Sequence, residues 1–498
     1  MITSMLRQLC QNSNFLLVIL IALTLVTVSG VAGAILPAGV GTYPSLADTT
    51  IDTLAEGLAR NDFTSVDLQK STPDALLIAS MLDYERAVGN TRGSLHGIPL
   101  LLKDNIATFD TGSWALVGAK VSHDATVVEK LRLAGAIILG KTSLSEWADW
   151  RSLNSNNGWS ARNGQVSDPY FRNEDPWGSS SGSGVASTLG LALASVGTET
   201  DGSIISPASF KNLVGIKPTV GLTSRHLVIP VREHQDTIGP LARNVKDAAY
   251  ILQAIAGVDP RDNYTSAIPG HKAPDYLTAY KTSRLSGRRI GIPRNVISLL
   301  ADDTTGPMMN AFEDAVKVMK RAGAIIVEDT DFPTATEFWD SPLSTRILNA
   351  DFVVNLRTYL TSLPTRDTGL WDGALSNWNN TDPRFWPAYQ QLLYYGEEGG
   401  LLGAIKRHAL DAVVLPANFA PDWAAAAGSP IVTVPMGSYP AGVSVTKDSW
   451  GMVESAPNIP EVTLIGTAYA FEQRTMARNK VRPYLSPRID LMDVVSNA

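Results

Sequence analysis

Cysteine is almost missing from this chain: Cys10 is the single one among 498 residues. It lies in an N-terminal segment with the features of a secretory signal, so the mature chain would carry no thiol. That excludes disulfides, a cysteine nucleophile and a thiolate metal site. Charge is also scarce, with Asp, Glu, Lys and Arg at 18% and a net charge of −7. No block of Lys and Arg offsets that balance, which argues against a nucleic-acid partner. The six histidines (His96, His123, His226, His234, His271 and His408) form no H-E-x-x-H pattern. His226 and His234 could share a site, but ordinary surface or core histidines are the simpler reading, and no metal is expected. A phosphate loop and a dinucleotide fingerprint are both missing, so no cofactor is implied. Hydrophobic residues reach 44%, enough to fill a large core, and the length would accommodate about three average domains.

Long apolar runs are missing as well. The longest, Phe15–Val28, has fourteen residues, short of the roughly 20 needed to span a bilayer. With Arg7 before it and the small-x-small Ala32-Gly33-Ala34 after it, the stretch suits a secretory signal over 1–34. An uncleaved anchor is the alternative. Residues 35–498 then form the mature, secreted chain. Its two Asn-x-Ser/Thr acceptors, Asn263 and Asn379, are compatible with that route and with a glycoprotein.

Helix and strand patterns alternate, which predicts an α/β fold. Thr72-Pro73-Asp74 caps a helix over Ala75–Val88 that stops at Gly89. Ala125–Ala134 reads as a helix closed by Gly135 and followed by a buried strand, Ala136–Leu139. The same phrase recurs in Met308–Arg321 and Ala324–Ile326. Further short strands are Ile290–Ile292, Asp411–Leu415 and Ile431–Val434. Gly184–Ser195 reads as a buried helix, and Val258–Arg289 as surface connection. The region 328–400 is aromatic-rich, with Trp339, Trp371, Trp378 and Trp386. These could line an apolar cleft or pack a helical subdomain.

Three stretches carry chemistry. The apolar run Ile98-Pro99-Leu100-Leu101-Leu102 ends in Lys103, where a strand would deliver the amine into a site; a solvated strand-end lysine is the plain alternative. The loop Gly178-Ser179-Ser180-Ser181-Gly182-Ser183-Gly184 formally contains G-x-S-x-G. A nucleophile elbow must follow a buried strand, however, and Phe171–Trp177 is polar and broken by proline. The third stretch, Gly197-Thr198-Glu199-Thr200-Asp201-Gly202-Ser203, can aim successive backbone N–H groups at one point, as an oxyanion hole requires. A structural turn is the competing reading. Taken together, a buried lysine and two serines in Gly-rich turns are what a Ser-Ser-Lys proton relay needs, since lysine acts as a base only when burial lowers its pKa.

These stretches resemble the amidase signature family. Gly97-Ile98-Pro99 through Lys103-Asp104-Asn105 is similar to its lysine strand, Gly178-Ser179-Ser180 to its serine loop, and Gly197 through Pro207 to its nucleophile turn. Gly215-Ile216-Lys217-Pro218-Thr219 and Gly239-Pro240-Leu241-Ala242-Arg243 extend the match, which continues thinly to Pro430–Gly437. The core motifs thus fall within 96–256 of an amidase domain over 35–498, and the texture is closest to fungal secreted or plant-type members. The resemblance implies a single large α/β domain with a mixed central sheet covered by helices on both faces. It implies a hydrolase that splits a small-molecule carboxamide into carboxylic acid and ammonia or amine. Ser203 would be the acylated nucleophile, Ser179 the bridging serine on a non-proline cis peptide, and Lys103 the base. The backbone N–H groups of Thr200, Asp201, Gly202 and Ser203 would hold the oxyanion. A membrane enters only if the N-terminal segment is retained, as in a lipid-amide hydrolase.

Departures from the family pattern are also visible. Asp201 stands where glycine is common, and Ile205 where many members have arginine. The chain looks shortened between Asp67 and Ser71, between Asp110 and Gly112, and near Glu461–Ala470. Loss of a helix there would expose apolar side chains worth about 1.5–3 kcal/mol each when buried. A non-catalytic, binding member of the family is the alternative those shortenings suggest.

Overall fold

The computed structural model describes residues 43, 45–68, 73–108, 121–151, 156–302, 305–361, 379–437, 451–455, 461–487 and 490–495. Residues 1–34, read above as a signal, residues 69–72 and 109–120, Trp371 and Trp378 lie outside them. Among the described residues, one sheet holds ten strands: β1 (Pro99–Lys103), β2 (Ile137–Thr142), β3 (Ala194–Glu199), β4 (Val214–Lys217), β5 (Thr237–Ala242), β6 (Arg289–Gly291), β7 (Ile325–Val327), β8 (Ala412–Pro416), β9 (Ile431–Pro435) and β10 (Gly451–Ser455). Their spatial order is β2-β1-β3-β5-β4-β9-β10-β8-β6-β7. Both ends of the sheet are parallel, β2-β1-β3 and β8-β6-β7, while every pairing between β3 and β8 is antiparallel. The sheet is mixed, as the resemblance implies, and residues 44–498 form one compact unit.

Continuous burial explains the apolar strand sequences. Every residue of β3, β4, β5, β8 and β9 is buried, which requires cover on both faces of the sheet. The described helices include α1 (Ile51–Arg60), α2 (Pro73–Ala87), α3 (Thr126–Leu133), α4 (Ser181–Leu189), α5 (Ile205–Phe210), α6 (Val245–Ile255), α7 (Gly306–Arg321), α8 (Leu343–Thr361), α9 (Phe385–Gly396), α10 (Pro421–Ala427) and α11 (Glu461–Thr475). None of the described helices is long and apolar enough to cross a membrane.

One expectation needs correcting. The helix read over Gly184–Ser195 begins earlier, at Ser181, and ends where the Gly190 N–H bonds to Ala186 O and Ser187 O. Leu193 N then reaches Pro99 O at 3.2 Å, and the chain enters the sheet as β3. Register matters more than length here. β1 and β3 run parallel with Leu102 beside Val196, so Lys103 and the turn after Glu199 emerge at the same edge of the sheet.

The connection at 258–289 is a string of short 3₁₀ turns, but Tyr276 and Leu285 in it are fully buried. In the aromatic-rich region Trp339 and Trp386 are both more than half exposed. Trp386 edges onto Phe385, Tyr389 and His234. Near Glu461–Ala470, where the chain looked compressed, α11 starts at Glu461 and buries Leu464, Ile465, Ala468, Ala470 and Phe471. Beside residues 69–72, α2 carries Leu77, Met81 and Tyr84, with Val88 just beyond it, all more than half exposed. Their spacing of four, three and four makes one apolar stripe along the helix.

Arg243, at the end of β5, ties this frame together. Its buried guanidinium donates to Ser187 O (2.9 Å) in α4, to Ala192 O (3.2 Å) in the α4–β3 connection, and to Thr49 O (3.1 Å) ahead of α1. Arg243→Met leaves three carbonyls without that donor and is expected to lower stability by about 2–5 kcal/mol. Urea titration checks this, and a loss below about 1 kcal/mol would contradict it.

Candidate active site

Lys103 closes β1 and is fully buried. Its Nζ lies 2.7 Å from Ser179 Oγ and donates to Thr198 O at 3.1 Å. Among the described residues no carboxylate lies within ion-pair distance of it. Burial pushes its pKa down from the ordinary lysine value to about 7, against the opposing pull of Asp149, Glu199 and Asp236. A neutral amine in this position can donate one N–H to Thr198 O and accept the Ser179 hydroxyl proton.

Ser179 follows a cis Gly178–Ser179 bond, as the resemblance implies, and no strand precedes it between residues 166 and 178. The nucleophile-elbow reading therefore fails in the structure too. Ser179 O accepts from Ser145 N (3.0 Å), and Ser180 N donates to Ser203 O (3.1 Å). Ser180 Oγ reaches the same Thr198 O as the lysine, at 3.2 Å. The serine loop is thus fastened to both β3 and the turn beyond it. Ser203 is 9% exposed whereas Ser179 is 0%, so a ligand reaches Ser203 first.

The turn after β3 is held from inside. Glu199, itself buried, accepts from Gly202 N (2.9 Å), Ile204 N (2.7 Å) and Ile205 N (2.8 Å). Burial raises its pKa, while Lys217 and those three N–H groups pull the other way. Gly202 stands at φ 78°, a left-handed conformation that glycine adopts without cost. The Glu199 bond corrects the expected oxyanion set: the Gly202 N–H is already committed, which leaves Thr200, Asp201 and Ser203 as candidate donors. Gly197, grouped with the turn on sequence, belongs to β3.

Thr200 is fixed through its side chain, whose Oγ1 donates to Asp236 Oδ1 at 2.5 Å. The other oxygen of Asp236 accepts from Val231 N and Arg232 N. Asp201, the residue that departs from the family pattern, hydrogen-bonds the Asp422 side chain on α10. Two carboxyls in contact need a shared proton. Burial and the Asp422 charge accordingly push Asp201 well above the usual carboxylate range.

Beside the turn lies a cavity of about 390 Å³. Asn105, Thr198 and Thr200 are among its lining residues, together with Val354, Asn355 and Tyr359 of α8. Near its rim Glu233, His234 and Asp351 bring three potential metal-ligand atoms within 4.8 Å of one another. Positive charge is already present there. Arg232, fully buried, reaches Asp351 Oδ2 at 3.2 Å, and His234 Nδ1 shares that oxygen at 2.8 Å. His226 instead stacks on His123, so the two histidines considered together in the sequence are engaged separately.

Sequence reasoning assembled Lys103, Ser179 and Ser203 but overlooked their carboxylate surroundings. Glu199 stood inside a quoted motif and Lys217 inside another, and a charged letter in an otherwise apolar or Gly-rich stretch is the available signal. Asp149 and Asp236 carried none.

A family model described as Amidase matches residues 64–384. A protein of Arthroderma benhamiae that bears an amidase name is 47% identical, with 91% of this chain and 90% of the relative aligned. That alignment runs over 533 positions, more than this chain possesses, so the relative carries residues with no counterpart here. An Arabidopsis thaliana relative, also given an amidase name, is 38% identical over 82% of this chain and 83% of its own. Among solved structures, the peptide amidase of Stenotrophomonas maltophilia superposes with a TM-score of 0.79 at 35% identity, covering 89% of this chain and 99% of that one.

The lysine environment is directly measurable. In protein labelled at lysine 13Cε, one signal is expected to titrate near pH 7, well below the ordinary value near 10.4, and to vanish in Lys103→Met. If no such signal is lost with Lys103, its amine is not held neutral.

Proposed function

Because the chain belongs to the amidase family, we propose that it hydrolyses the C–N bond of a linear carboxamide through a Ser-Ser-Lys relay. The observation that carries this reading is the fully buried Lys103 amine 2.7 Å from Ser179 Oγ. In the proposed sequence Ser203 Oγ attacks the amide carbonyl and passes its proton to Ser179, which passes its own to neutral Lys103. The carbonyl oxygen gains the negative charge and is met by the N–H groups of Thr200, Asp201 and Ser203. Return of the proton along the same path releases ammonia or an amine and leaves an ester on Ser203. Water, activated by the same relay, then cleaves that ester to the carboxylic acid and restores the serine.

Support for a small acyl group comes from the 390 Å³ cavity at Thr200, which has both polar and apolar walls. A second substrate reading is favoured by the likeness to the peptide amidase at 35% identity: the amide would then be that of a peptide C-terminus. We further infer secretion from Arg7, the apolar stretch 15–28 and Ala32-Gly33-Ala34. Edman sequencing of protein from culture medium should begin near Ile35.

Ammonia release from a panel of small primary amides and short peptide amides tests the activity. The chain should turn over at least one of them, and Ser203→Ala should lower kcat by at least about 10⁴-fold. Equal release by both proteins would remove Ser203 from the reaction. Failure of a fluorophosphonate to label Ser203 in the parent chain would favour the non-catalytic alternative.

A further inference from the structure

Trp147, Ala148 and Asp149 stand in succession at φ 55°, 57° and 70°. Each such left-handed residue other than glycine costs of order 1–3 kcal/mol, and outliers of this kind gather at working sites. Trp147 is buried and anchors the turn. Ser145, at its start, donates its N–H to Ser179 O, and its side chain hydrogen-bonds Asp149. The turn therefore grips the serine loop at the residue that contacts the lysine. Asp149 Oδ2 packs so close to the loop that a Cβ on Gly178 would stand 2.8 Å from it.

We propose that Asp149 is a positioning residue for Lys103: presented against the Gly178–Ser179 bond by the left-handed turn, its carboxylate governs how readily the lysine amine gives up its proton. The inference rests on the reading of Lys103 as the base. Three carboxyls act on the amine from three elements: Asp149 from this turn, Glu199 from β3 and Asp236 from the segment before β5. Glu199 accepts from three backbone N–H groups of the turn after β3 and Asp236 from the Thr200 hydroxyl of that turn, so removing either disturbs the turn itself. Asp149 carries no such bond to the turn after β3. Burial pushes the Asp149 pKa up, the Ser145 hydrogen bond and Lys103 pull against that, and Asp175 adds to the rise. Burial drives the amine towards neutrality and Asp149 opposes it, so removing this charge lets the amine stay neutral to lower pH.

The test is the acid limb of kcat/KM for an uncharged primary amide in Asp149→Asn, Asp149→Glu and Asp149→Gly. In the Asn and Gly variants the limb is expected to move about one pH unit to the acid side. The Glu variant, which keeps the charge, should stay near the parent. Asp149→Gly is the informative member because glycine accepts φ 70° freely. A merely structural aspartate would leave the limb unmoved in that variant, whatever its stability, and this result would overturn the proposal, as would a shift to higher pH. If the parent releases no ammonia at all, the amidase reading fails separately. The 13Cε signal of Lys103 then decides in the same variants: a downward titration shift supports the role of Asp149, and an unchanged one refutes it.

Discussion

Removing the Lys103 amine from water costs several kcal/mol if it stays charged, and among the described residues no carboxylate pairs with it to offset that. Burial therefore favours the neutral amine, and it does so only while water is kept away. Much of the architecture follows from that need. β1 lies between β2 and β3 rather than at an edge, and its residues Leu100 and Leu102 are fully buried. The parallel alignment of β1 with β3 then brings the dry amine and the turn that needs it to one edge. A lysine at the end of an edge strand would have the same sequence and none of the same chemistry.

Around this dry centre, charge is placed at one remove. Glu199 does not approach Lys103 as an ion-pair partner; it spends its oxygens on Gly202, Ile204 and Ile205. Those bonds shape the turn and choose which N–H groups remain available at its mouth. Lys217, fully buried and donating to Ser429 O at 3.0 Å, acts on Glu199 and Asp201 from the far side. Asp201 would place a negative charge where the proposed oxyanion develops. Sharing a proton with Asp422 blunts that charge. The departure from glycine is therefore compatible with the turn's chemistry because α10 supplies a partner that the local sequence does not show.

What was legible in the sequence follows from this division. Lys103 was legible because a buried parallel strand reads as a continuous apolar run, and the run stops at a charged residue. β3 was not, because Ala-Ser-Val-Gly-Thr-Glu holds one bulky apolar residue. Its small side chains suit close packing against the serine loop rather than a strand pattern. The helix before it was accordingly read too far. Gly202 was assigned to the oxyanion set because N–H direction cannot be read from letters; a carboxylate three residues earlier had already claimed it. Asp149 and Asp236 act on the lysine only through the tertiary path of the chain, and nothing in their neighbours marks them.

The same logic separates the centre of the molecule from its margin. The relative from Arthroderma benhamiae keeps 47% identity yet carries residues that this chain lacks. Lys103 and Ser179 need atomic contact and complete exclusion of water, so a gap through β1, β3 or the serine loop would abolish the site. A helix at the periphery faces a weaker demand. α2 keeps Ala75, Ala79 and Leu82 against Ile137 while its other side shows Leu77, Met81 and Tyr84 to solvent. An exposed apolar stripe costs solubility and some stability, but it does not hydrate the lysine. α11 buries its apolar residues Leu464, Ile465, Ala468, Ala470 and Phe471. A chain can therefore lose length at its margin and retain the geometry of the amine and its serine, because only the latter depends on dryness.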